Sequence, residues 1–98
     1  MTFRAREVAT STVMVDDERV RVTRWDFAPG AETGWHRHDM DYVVTTLTPC
    51  VFELEEPGGG SRRVEMDAGL SYRRGEGVEH NVVNGGTEPM AFVEVELK

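Results

Sequence analysis

Apolar and polar residues alternate along this chain in short runs, each cut off by turn formers. ERVRVTRWDF alternates over residues 18–27, and AFVEVELK alternates over 91–98 with Ala91, Val93, Val95 and Leu97 on one face. A period of two sends successive side chains to opposite faces, so both segments predict half-buried β-strands. Breakers recur at DDE (16–18), PG (29–30), PGGG (57–60), DAG (67–69) and NGG (84–86), with PGGGS read as a hairpin tip. Short strands between such turns predict an antiparallel sandwich or barrel. No window of about 11 residues carries an apolar face at helical spacing. The expectation is an all-β chain forming one domain over residues 1–98.

Composition narrows the function classes. At 98 residues a chain buries only about 60–65% of its unfolded surface, so a bound metal or a partner subunit would add needed stability. The formal charge is −7, from 18 acidic and 11 basic residues. Without a Lys/Arg stripe to meet phosphates, nucleic-acid binding is not expected. Cys50 is the sole cysteine, which rules out an intramolecular disulfide and fits a reducing compartment. The start MTFRAREVATS has no apolar leader, and no run approaches the ~18–20 apolar residues of a membrane span. A small cytoplasmic protein with no membrane association is expected.

Two of the three histidines stand in GWHRHDMDY, residues 34–42. On a strand His36 and His38 share a face and Arg37 takes the other. Such a pair is either a metal clamp or a solvated pair on an edge strand. The remaining histidine, His80 in GEGVEHNVVN, favours the clamp, because distant segments of an antiparallel barrel can pair side by side. Three neutral imidazoles leave coordination positions open, the layout of a catalytic rather than a structural metal site.

The two segments also resemble a known family. GAETGWHRH is similar to the first cupin motif, a glycine and an H-x-H with five residues between them: Gly30, His36, His38. GLSYRRGEGVEHNVVN is similar to the second, with Gly69, Gly77, His80 and Asn84 in register and Gly75 where the family usually has proline. Through PGAETGWHRH and GVEHNVVN the whole chain resembles the small single-domain cupins associated with beta-alanine degradation. The resemblance implies a double-stranded β-helix, or jelly-roll barrel, holding a divalent transition metal (Fe, Ni, Zn, Cu or Mn) on His36, His38 and His80. It also implies a homodimer, since small cupins usually pair their exposed edge strands and both termini are expected to form such edges.

The chain departs from the family where a glutamate usually follows the second histidine, since Tyr42 or Val43 stands there. Asp41 precedes it and, by parity, faces away. A three-histidine site without a fourth carboxylate is therefore expected, which favours Fe, Ni, Cu or Zn over Mn. Asp41, Glu76 and Glu79 are the alternatives for a fourth ligand. Tyr42 shares parity with His38; it is either a catalytic phenol donating to a bound oxyanion or a core tyrosine. Of Arg73 and Arg74, alternation sends one inward, where a guanidinium can clamp a carboxylate. Trp25, Phe27 and Trp35 read as barrel lining and Met40 as a filler near the histidines. Cys50 reads as a turn residue, Asn84 as a turn residue or a functional one, and Gly75 and Gly77 as positions of positive φ or close approach.

These readings point to a metal-dependent enzyme acting on a small organic, carboxylate-type metabolite by dioxygenase, isomerase or lyase chemistry. The alternative is a non-catalytic metabolite-binding sensor. Cupin sensors are usually fused to a helical DNA-binding domain, for which 98 residues leave no room, so the enzyme is preferred.

Overall fold

The computed structural model describes residues 6–98, and every regular element among them is a strand. In chain order these are β1 (Thr10–Asp16), β2 (Val20–Phe27), β3 (His36–Arg37), β4 (Asp41–Thr46), β5 (Cys50–Glu55), β6 (Ser61–Met66), β7 (Ser71–Arg74), β8 (Glu79–Asn84) and β9 (Met90–Leu97). They form two antiparallel sheets, ordered β1-β2-β9-β4-β7 and β3-β8-β5-β6. Two antiparallel sheets fit the sandwich or barrel that the alternation predicts, and together they make the double-stranded β-helix that the family resemblance implies.

The turns fall at the breakers. The Asp17 carboxylate accepts the Arg19 and Val20 amides, closing the β1–β2 hairpin with an Asx turn. PGGG makes the tip between β5 and β6.

Strands β4 and β5 alternate strictly, with Tyr42, Val44 and Thr46 buried on one and Cys50, Phe52 and Leu54 on the other. Phe27 and Phe92 join them, their rings 5.5 Å apart, with Phe52 5.6 Å from Phe92. These aromatics belong to the buried core between the sheets, and Phe92 also borders the space beside the histidines.

Several local expectations are corrected. The C-terminal strand is no edge: β9 lies between β2 and β4, and β1 is the edge. Cys50 is not in the turn; it opens β5, buried, with its thiol donating to the Thr48 and Ala91 carbonyls. Trp35 is 54% exposed rather than lining the barrel, because it has the opposite parity to His36. Gly75 is not among the positive-φ glycines, whereas Gly77 has φ 92°.

Asn84 is a buried structural tie. Its amide donates to the Phe27, Ala28 and Glu88 carbonyls and its Oδ1 accepts the Gly86 amide. No helix among the described residues is long and apolar enough to cross a membrane.

Candidate metal centre

β3 and β8 run antiparallel with His36 directly opposite His80, so the two sequence motifs meet in one ladder. The ladder continues past β3, since the His38 amide donates to the Val78 carbonyl at 2.8 Å and the Gly77 amide to the His38 carbonyl at 2.8 Å. All three rings turn to one point. His36 Nε2 is 3.0 Å from His38 Nε2, which is 3.1 Å from His80 Nε2. One donor atom from each of the three lies within 4.8 Å of the others.

The protonation of these rings follows from their surroundings. His36 Nδ1 is 2.9 Å from the Gly34 carbonyl, which can only accept, so Nδ1 carries a proton and Nε2 is the ring nitrogen turned to the other histidines. Gly34 can aim that carbonyl because it has φ 88°, a conformation open to glycine without strain. Burial, helped by the neighbouring His36, pushes His38 down to about 4. Burial, with His36 and His38 beside it, pushes His80 down to about 3. Both are therefore neutral at neutral pH. A proton on His38 Nε2 can satisfy one of its two close nitrogen contacts, not both; one cation satisfies all three. The donor set fits a divalent transition metal.

The loop before His36 is held by a residue that sequence reasoning passed over. Asn81 Oδ1 accepts the Gly34 amide at 3.0 Å, and its Nδ2 donates to Glu32 at 2.8 Å and Glu55 at 2.7 Å. Arg6 bonds the same two carboxylates. Asn81 follows His80 and so points to the opposite face of β8. The only signal was that a polar residue lay next to a candidate ligand.

Tyr42 faces inward, as its parity predicts. Its ring stacks on His38 at 3.8 Å and 16°. The residue is 1% exposed, and its hydroxyl is buried without a hydrogen-bond partner. Burial pushes the phenol up to about 12, so it stays protonated and able to donate.

None of the three carboxylates considered as a fourth ligand reaches the cluster. Asp41 accepts the Glu76 amide and an Arg73 N–H, and Glu76 and Glu79 are exposed. The carboxylate that does approach is Glu94 of β9, with Oε1 3.9 Å from His38 Nε2. Burial, reinforced by Glu96, pushes it up to about 7, against the opposing effect of Trp25. It was missed because it lies outside both motifs. The β9 alternation displayed it, but the aliphatic face of that strand drew the reading: Phe92, Glu94 and Glu96 line the interior cavity, not Val93 and Val95.

That cavity, ≈ 310 Å³, is bordered by Trp25, His36, His38, Met40, Glu94 and Glu96, with Arg21 and Arg37 also on its wall. Met40 is thus beside the histidines, as expected. Arg73 turns outward to Asp41, whereas Arg74, the register partner of Tyr42, shares the inner face.

A double-stranded β-helix with an inward trio of histidines is the architecture of the cupins. The family model described as "Cupin domain" matches residues 23–96, and the chain belongs to the cupin family. It is 52% identical over 93 residues to the beta-alanine degradation protein BauB of Pseudomonas aeruginosa, a match spanning 95% of this chain and 97% of that protein. A cupin domain from Bordetella pertussis Tohama I superposes with a TM-score of 0.92 at 51% identity, covering 98% of this chain and 99% of that one. The polyketide cyclase RemF of Streptomyces resistomycificus shares the fold, with a TM-score of 0.73 at 23% identity over 95% of this chain and 70% of its own.

Proposed function

We propose that residues 1–98 form one cupin domain that binds a divalent transition metal (Fe, Ni, Zn, Cu or Mn) through His36, His38 and His80. The protein would act as a metal-dependent enzyme on a small carboxylate-type metabolite. The observation that carries this reading is the meeting of three imidazoles with Nε2 atoms 3.0 and 3.1 Å apart, a crowding that a cation relieves. The name of the Pseudomonas relative supports a metabolite in or near beta-alanine breakdown. Dioxygenase, isomerase and lyase chemistry all suit such a substrate.

A bound ion supplies Lewis acidity at its open positions and, if it is iron, redox chemistry. The chain's own residues do the rest. Tyr42 holds a proton on a buried hydroxyl beside His38 and donates a hydrogen bond to a substrate oxyanion. Glu94, held near neutrality, exchanges a proton within the cavity. Trp25 and Met40 narrow the space around the reacting group and exclude water.

A second reading is a non-catalytic metabolite-binding module, since this fold hosts many unrelated functions. The absence of a disulfide partner for Cys50 supports a cytoplasmic location, and the exposed edge strand β1 supports a homodimer.

The deciding experiment is elemental analysis of tag-free protein beside a His36→Ala/His80→Ala variant. Near-stoichiometric metal in the wild type and none in the variant supports the site. A wild type that is empty and cannot be loaded overturns the enzyme reading in favour of a binding module.

A further inference from the structure

A second cavity, ≈ 250 Å³, lies between β5–β6 of one sheet and β7 of the other and shares no lining residue with the cavity beside the histidines. Strands β6 and β7 are the outer strands of their sheets and are not bonded to each other, so the cavity opens along that seam. Its walls are apolar: Phe52, Leu54, Val64, Met66 and Tyr72. The remaining lining residues are arginines, Arg62, Arg73 and Arg74.

The arginines are not equivalent. Arg62 lies 3.5 Å from Glu56 and Arg73 lies 3.1 Å from Asp41. Arg74 is half-buried on the inner face and has no carboxylate within ion-pair distance among the described residues. A half-buried arginine without a carboxylate partner can receive an anion, and a carboxylate matches its planar fork. The walls require the rest of the ligand to be hydrocarbon. The volume falls just below the ~300–1,000 Å³ of pockets for drug-sized ligands, which limits the tail to a short chain.

We propose that this cavity binds a short-chain aliphatic monocarboxylate, with the carboxylate on Arg74 and Arg62 and the chain among Phe52, Leu54, Val64 and Met66. The cavity shares no lining residue with the one beside the histidines, but its Arg62 and Arg74 both act electrostatically on His80; the proposal itself requires no bound metal.

The test is isothermal titration calorimetry of the full chain, metal-free and zinc-loaded, against butanoate, hexanoate, octanoate and their primary amides. Acids are expected to bind saturably in both forms, each added methylene tightening binding about fourfold until the cavity is full. The amides should bind about tenfold more weakly or worse, for want of the charge-assisted bonds. Arg74→Gln should bring the acids down to the amides, with Arg62→Gln, whose side chain is largely exposed, as a second variant should the first misfold. Val64→Phe should abolish binding of both series with its circular dichroism unchanged.

Equal binding of acids and amides, or no saturation at millimolar ligand, overturns the proposal. So does binding confined to the zinc-loaded form, which would assign the carboxylate to the histidine cluster. Loss of metal binding with retained acid binding would overturn the metal reading alone.

Discussion

His36 and His80 are direct cross-strand partners in the β3–β8 ladder, so each presents its imidazole to the other whenever the register is kept. Register in an antiparallel pair cannot slip by one residue without turning every side chain to the opposite face. The donor set is therefore built into the strand pairing, with His38 added by the next inward position.

This coupling predicts that a metal bound by the three histidines would add to the stability of the fold. With zinc, nickel or cobalt at about 100 times its dissociation constant, the native state gains about 2.7 kcal/mol. For a domain of this size that raises Tm by roughly 10–20 °C. Differential scanning fluorimetry with and without a chelator should show the shift in the wild type and its loss in His80→Ala.

The pH dependence of the metal-free protein follows from three groups. His38 and His80 titrate at about 4 and about 3 in the folded chain, below their unfolded value near 6.5. Between those values the unfolded chain binds more protons, so stability is present at neutral pH and is lost as pH falls from about 6.5 toward 4. Each histidine contributes a slope of at most about 1.4 kcal/mol per pH unit.

Glu94 opposes them. Its folded value of about 7 exceeds its unfolded value, so its contribution is present at low pH and is lost as pH rises from about 4.5 through 7. Glu94→Gln should therefore lose stability more steeply on acidification than the wild type. Urea unfolding of both proteins across pH 4–7 checks the sign; equal slopes would contradict it.

Tyr42→Phe separates structure from chemistry. Its buried hydroxyl has no partner, and an unsatisfied group of this kind costs about 1–3 kcal/mol. The metal-free variant should be at least as stable as the wild type by urea titration. If the phenol is catalytic, turnover of an identified substrate should fall at least tenfold, whereas unchanged turnover returns Tyr42 to the core.

Asn81 holds the Gly34 amide and, through it, the carbonyl that orients His36. Asn81→Ala should weaken metal binding roughly 10–100-fold, the range seen when groups orienting a ligand are removed. Competition against a chromophoric chelator measures this, and unchanged affinity would show that the β3–β8 pairing alone orients His36.

The edge strand β1 is exposed along its whole length, with Val13 58%, Met14 55% and Val15 42% accessible. A bare apolar edge of this kind is normally covered. Sedimentation at micromolar concentration should give a dimer, and Met14→Lys/Val15→Glu should shift it to the 11.0 kDa monomer.

The all-β class, most of the turns, the inward face of β4 and the three candidate ligands were all legible in the sequence. Each rests on a local rule: alternation at period two, turn chemistry, or motif spacing. Parity alone placed Tyr42 with His38 and set Asp41 apart from them. Local rules do not say which face of a two-faced strand meets the other sheet. Only the packing of β9 between β2 and β4 decided that Glu94 rather than Val95 faces inward, and only the seam between β6 and β7 set Arg74 over an apolar cavity. Sheet order is chosen by the total area buried, a sum over residues distant in the chain, and no short window of sequence contains it.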